Sequence, residues 1–193
     1  MSDSEPQIQR AGVIMKKRIA ICQIFALVAT GWMYSVYALD SDQARFTLRG
    51  LPGLSVVVEE LQPGLQRYGQ KSGFQREQIK SDAESVLRKA GITVLAYDQW
   101  LKTAGRPFLY IVINTHEYEK YWYAYDIRIE LKQRVMLETN PSVMAMASTW
   151  SLNMTGNTHI GRLGVMKEDM NLLLERFISA RQWADRPVSG KKG

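Results

Sequence analysis

Between Tyr121 and Leu137 the odd positions read Tyr121, Tyr123, Tyr125, Ile127, Ile129, Leu131, Gln133, Val135 and Leu137, while the even positions from 126 to 134 read Asp126, Arg128, Glu130, Lys132 and Arg134. Successive side chains of a strand point to opposite faces, so this period of two predicts one long strand with a buried face and a wet face. Phe108 to His116 before it and Met144 to Met154 after it are its predicted antiparallel neighbours, the second with Met144, Met146, Trp150, Leu152 and Met154 on one side. Upstream, the three consecutive valines within Leu54 to Leu61 predict a short buried strand, and Ile92 to Ala96 predicts a second. Elsewhere the spacing becomes helical. Between Gln75 and Ala90 the apolar residues are Ile79, Ala83, Val86, Leu87 and Ala90, with Gly91 as the stop; from Val165 to Phe177 a second helix carries Met166, Met170, Leu173, Leu174, Phe177 and then Ile178. A short turn of helix falls at Tyr97 to Lys102, before a loop at Gly105-Arg106-Pro107. This order predicts an α+β fold: a two-layer sandwich with a mainly antiparallel sheet of about five strands and two helices packed on one face.

The polarity near the start marks a different kind of element. Lys16, Lys17 and Arg18 form a compact positive cluster, and Ile19 to Ala29 follow as an apolar run broken only by Gln23. A basic segment before an apolar one is the pattern of a secretory signal, and Val36-Tyr37-Ala38 ends it on the small residue that cleavage requires. The expectation is a signal peptide over residues 15–38, cut after Ala38, with residues 1–14 a mis-assigned N-terminal extension ahead of a true start at Met15. Left uncut, residues 19–36 are just long enough to anchor the chain in a bilayer, with Trp32, Tyr34 and Tyr37 at an interface. A lipoprotein signal does not fit, because Ile21 stands where a small residue is needed and Cys22 lies too near the basic cluster.

Cys22 is the only cysteine, so the exported chain holds no disulfide framework and must rest on an ordinary core. The 155 residues after Ala38 suffice for one. With no internal repeat, the reading is an N-terminal segment over 39–53, a single α+β domain over 54–183 and a flexible C-terminal tail over 184–193. Loss of the leader removes four cations and two anions, which lowers the formal charge from +6 to +4. That balance permits weak attraction to an anionic envelope surface but lacks the clustering of a nucleic-acid footprint.

Candidate chemistry is sparse. His116 and His159 are the only histidines, and neither has a partner at metal-ligand spacing apart from Glu117 and Glu119, of which Glu117 points away from His116 on a strand. No Gly-x-Ser-x-Gly elbow is present. Asp126 and Glu130 face one side but sit about 13 Å apart with Arg128 between them, a solvated ladder rather than an acid pair. Gly161-Arg162-Leu163-Gly164 lacks the lysine of a phosphate loop. The expectation is therefore no catalytic residue, no metal and no cofactor. Among the aromatics Tyr118, Tyr121, Trp122, Tyr123 and Tyr125, the alternation leaves Trp122 on the charged face. Lys120, Trp122 and Arg128 are accordingly the expected binding residues, unless a loop such as the one after Tyr97 covers the indole.

LSVVVEEL from Leu54, QREQIKSDAESVLRKAGITVL from Gln75, GRPFLYIVINTH from Gly105 and YAYDIRIELKQRVML from Tyr123 resemble a group of small exported bacterial proteins classed as a domain of unknown function. The likeness covers roughly Leu54 to Ile178 and implies an exported single domain, with no active-site residues to carry over. More remotely, the order of elements is similar to the periplasmic domains of envelope lipoproteins that regulate cell-wall synthesis or assemble secretion pores. The functional expectation is an exported cell-envelope protein, periplasmic or secreted, or anchored in the inner membrane if the leader stays uncut. It acts as a non-catalytic binding or structural module toward a protein, glycan or lipid, without nucleic acid. The alternative is an envelope enzyme or metal-binding protein with a site assembled around His116 and His159, drawing on Glu117 and Asn114.

Overall fold

The structure, a computed structural model, describes residues 38–72 and 74–187. The chain divides into two units, 1–34 and 35–193, and every described residue belongs to the second. Apart from Ala38, the expected leader lies outside the described residues. The described chain is a mixed α+β fold. A two-residue strand β1 (Ala38–Leu39) leads to α1 (Asp42–Phe46), β2 (Ser55–Val58), α2 (Pro63–Ser72), α3 (Arg76–Lys89), α4 (Tyr97–Lys102), β3 (Phe108–Glu119), β4 (Trp122–Leu137), β5 (Asn140–His159), a 3₁₀ turn (Ile160–Arg162) and α5 (Gly164–Ala184). The sheet order is β1-β5-β4-β3-β2. Four strands carry this open sheet, and β1 adds a two-residue pairing with Ser151 and Leu152 at its edge. β3, β4 and β5 are antiparallel, while β2 joins β3 in parallel through a crossover that holds α2, α3 and α4, as parallel neighbours require.

Burial follows the period-two pattern over most of β4. Tyr123, Tyr125, Ile127, Ile129 and Leu131 are buried, and Ile129 is 0% exposed. On the same face stand Leu109, Ile111 and Ile113 of β3 and Trp150, Leu152 and Met154 of β5, against Ile79, Ala83 and Leu87 of α3 and Met166, Met170, Leu173, Leu174 and Phe177 of α5. Trp150 meets Phe177 edge to face at 5.1 Å, and Lys167 bonds Asp82 at 2.6 Å to tie α5 to α3.

Several expectations are corrected. Ile92 to Ala96 is not a strand: Val94 makes one isolated bridge to Leu54, framed by Leu54 N–H to Thr93 carbonyl and Leu95 N–H to Leu54 carbonyl bonds. Gly91 ends α3 with φ of 79° and α4 begins at Tyr97, which leaves no length for a ladder. Four full strands and the two-residue β1 stand where about five strands were expected, and among the described residues there are five α-helices instead of two and a short one; α1 and α2 were unforeseen, and α5 runs on to Ala184 with Ala180 and Ala184 buried. Tyr121 is not a buried strand residue. It lies in the β3–β4 turn with φ of 69°, exposed.

Met144 and Met146 also part company with Trp150, Leu152 and Met154. Leu131 pairs with Trp150 but Lys132 pairs with Ser148, so Thr149 is an extra residue that reverses the facing of everything before it. Met144 and Met146 thereby join the face of the charged ladder, opposite Met136 and Arg134, and are exposed. Gln133, Val135 and Leu137 lie past the end of the core, and none of them is buried.

Two polar contacts lock the layers. At Gly156, opposite Tyr125, an added Cβ would come 2.5 Å from the phenol Cζ, so only glycine leaves room for that ring to cross β5. The Tyr125 hydroxyl then donates to Asp169 of α5. Ahead of α1, Asp40 accepts two bonds from Arg45 at 2.6 Å and one from the Trp150 indole N–H at 2.9 Å. Burial acts to raise Asp40, but these bonds and the charges of Arg45 and Arg176 outweigh it and hold its carboxyl below the ordinary carboxylate range.

Candidate functional site

The face of the sheet opposite α3 and α5 carries the even residues of β4. From one end to the other these are Trp122, Ala124, Asp126, Arg128, Glu130 and Lys132. β3 sets Phe108, Tyr110, Val112, Asn114 and His116 beside them, and β5 sets His159, Asn157, Thr155, Asn153, Ser151 and Ser148. The charges form the ladder that alternation predicts. Glu130 lies 3.5 Å from Arg128 and 3.3 Å from Lys132, and Asp126 accepts from Asn153 at 3.1 Å. The carboxylates of Asp126 and Glu130 are thus occupied with separate partners.

At one end of this face stands an aromatic cluster built by the β3–β4 turn. The Glu117 carboxylate accepts the Tyr121 N–H at 2.9 Å and the Tyr123 hydroxyl at 3.0 Å, which pins the turn. Burial and that bond push the Tyr123 phenol above its ordinary value. Trp122, directly opposite His159, meets its ring edge-on at 5.5 Å and remains 39% exposed. Tyr121 meets the same imidazole at 6.2 Å, and Lys120 Nζ stands 5.2 Å above the Tyr121 ring. Tyr118, bulged out between Glu117 and Glu119, is exposed beside them. His159 Nδ1 accepts the Gly161 N–H at 3.1 Å and so caps the 3₁₀ turn.

The other end of the face is covered. Trp100 of α4 packs on Phe108 at 6.2 Å, Phe108 on Tyr110 at 6.2 Å, and Lys132 Nζ sits 4.2 Å over the Tyr110 ring. The segment after Tyr97 therefore covers the sheet near Lys132, about 33 Å along β4 from Trp122, and not the Trp122 indole. Sequence reasoning missed this second aromatic group. Its signal was present in Phe108 and Tyr110, which sit two apart on a strand, and in Trp100 four residues into a helix.

Of the expected binding residues, Lys120 and Trp122 share the aromatic end, while Arg128 lies about 20 Å further along β4. The suspects of the enzymatic alternative do not converge. Asn114 and His116 are on β3, His159 is on β5 with β4 between them, and Glu117 faces the other way. The register separates the two histidine Cα positions by about 12 Å. Among the described residues no three His, Cys, Asp or Glu gather as a metal site. A cavity of about 160 Å³ lies elsewhere, between Leu51–Leu54, Ala90–Thr93 and the end of α5, where Arg181 is bonded to Asp185 and the Leu51 carbonyl. Comparison with protein-family models, curated proteins and solved structures finds no match to this chain.

Proposed function

We propose that this α+β domain, a two-layer sandwich with one sheet face left open, is an exported cell-envelope module that binds a protein, glycan or lipid and catalyses no reaction. It belongs on this reading with the small exported bacterial proteins its segments resemble, periplasmic or secreted, or held at the inner membrane through residues 19–36. No helix among the described residues is long and apolar enough to cross a membrane.

One observation carries the reading: a tryptophan held on a rigid strand, 39% exposed, beside two exposed tyrosines and a lysine. Such rings lose water favourably and keep polar edges for pairing, and they dominate interface energies when a partner desolvates them. Lys120 and Trp122 supply the anchor, and Arg128 with the alternating charges supplies the polar margin that interfaces carry.

The test measures retention of the protein on isolated peptidoglycan, on vesicles containing anionic lipid, and on an envelope protein fraction. Trp122→Ala should weaken the retention shown by the wild type about tenfold or more, and His116→Ala should leave it unchanged. His159→Ala is not a clean control, because it removes the ring on which Trp122 rests. Loss with His116→Ala and none with Trp122→Ala would instead favour the enzyme or metal-binding alternative.

A further inference from the structure

The β4–β5 hairpin outruns the rest of the sheet. β3 begins opposite Lys132, so beyond that residue β4 and β5 continue as a ribbon beside which no third strand lies among the described residues. A two-stranded ribbon alone is marginal in water, and this one exposes apolar side chains beside Arg134, whose guanidinium donates to the Met144 Sδ at 2.9 Å: Met136 is 60% exposed, Met144 58%, Met146 45% and Val143 41%. Among the described residues no strand covers the edge of its outer strand between Pro141 and the bulge at Thr149. From Asn140 to Thr158 β5 contains no Asp, Glu, Lys or Arg, the residues that ordinarily keep an edge strand from pairing with another chain. β1 covers only Ser151 and Leu152. The open stretch from Ser142 to Ser148 reads SVMAMAS, the same in both directions about Ala145 except for Val143 against Ala147.

We infer that a second copy of this chain occupies this edge, with the two β5 strands antiparallel about a two-fold axis at Ala145. In that register Met144 faces the partner's Met146, Ser142 faces the partner's Ser148, and Ala145 faces its own counterpart. The contact is self-complementary, as a two-fold interface must be, and sets no like charges opposite each other. Its ends coincide as well. Pro141, which has no N–H to give, falls opposite the partner's Thr149, and Thr149 is the bulged residue whose carbonyl already accepts the Thr47 hydroxyl at 3.3 Å. The two sheets become one, and the flexible methionines of both ribbons bury one another. A ladder this short falls below the standard interface size, so the dimer forms reversibly and with concentration. The contact is separate from the aromatic end of the open face and does not depend on what binds there.

Sedimentation velocity of the protein as isolated from its host, from low to high micromolar concentration, should show a monomer–dimer equilibrium. Ala145→Lys and Ala145→Glu should each weaken it about tenfold or more through like charges at the axis, and an equal mixture of the two should associate again. A second measurement holds even if those variants loosen the ribbon. Directly opposed Cα atoms lie about 4.5–5.5 Å apart, within disulfide reach, so Ala145→Cys combined with Cys22→Ala should cross-link into dimers on mild oxidation. Val143→Cys in the same background should not. A wild type that stays monomeric throughout, or a Val143→Cys cross-link as efficient as that of Ala145→Cys, overturns the inference.

Discussion

Ile129 and Glu130 are adjacent in sequence and opposite in environment, and truncating each in turn tests the face assignment on which the whole account rests. Ile129 is 0% exposed, paired with Ile111 and Leu152 on the helix-covered face. Ile129→Ala removes buried methylenes and leaves a cavity that rigid neighbours on three strands cannot fill, which costs about 2–5 kcal/mol. Glu130, its own side chain 14% exposed, faces the open side between Arg128 and Lys132, whose side chains are 46% and 29% exposed and stay hydrated when the carboxylate is gone. Glu130→Ala therefore costs about 1 kcal/mol or less. A domain of this size loses about 2–4 °C of melting temperature per kcal/mol, so Ile129→Ala should melt about 4–20 °C below the wild type. Glu130→Ala should stay within about 4 °C. Thermal unfolding followed by circular dichroism reads both. Equal melting temperatures, or a larger loss for Glu130→Ala, would refute the assignment of the faces.

Gly156→Ala should destabilise the domain by about 1–3 kcal/mol through overpacking against the Tyr125 ring, and adding Tyr125→Ala should make the pair strongly non-additive in denaturant titrations. Asp40 is held below the ordinary carboxylate value of 3.8, so its contribution is present above that value and is lost as pH falls through the lowered folded value. The stability gap between wild type and Asp40→Asn should accordingly be constant at neutral pH and close below about pH 4 in urea titrations run at stepped pH; a gap that persists or widens there contradicts the bonding seen around Asp40. Export with cleavage after Ala38 predicts an N-terminus at Leu39 in mass spectra of the protein recovered from its host, and a chain that retains Met1 would contradict it.

How far the residues announce the fold varies with what each element depends on. β4 and α3 were legible because their apolar spacing is set by a neighbour on one side only, so Ile127, Ile129 and Leu131, like Ile79, Ala83 and Leu87, repeat at the period of their own backbone. The reversal at Thr149 was not legible. A bulge inserts one residue without changing composition, and the run of Met, Ala and Ser around it satisfies either facing. α2 opens with Pro63, which suits a first helical position, but Gly64 and Gly69 weaken it and masked the signal. Ile92 to Ala96 has strand composition, yet a strand needs a free edge along its length, and the chain turns into α4 after one bridge. At the candidate site, the face on which Trp122 stands followed from parity, whereas its exposure depended on whether the loop after Tyr97 covered it. Its contact with His159 did not follow from parity, because the register between β4 and β5 depends on the hairpin and its bulge rather than on either strand by itself.

The most direct measurement is site-specific photo-cross-linking in living cells. A photoreactive side chain is placed singly at Trp122, Ala124 and Arg128 on the open face, and at Glu168 and Glu175 on the exposed surface of α5. The account predicts adducts with an envelope component from the open-face positions, densest at Trp122 and Ala124, and none from α5. Adducts confined to Glu168 and Glu175, or an open face that yields none, would contradict it.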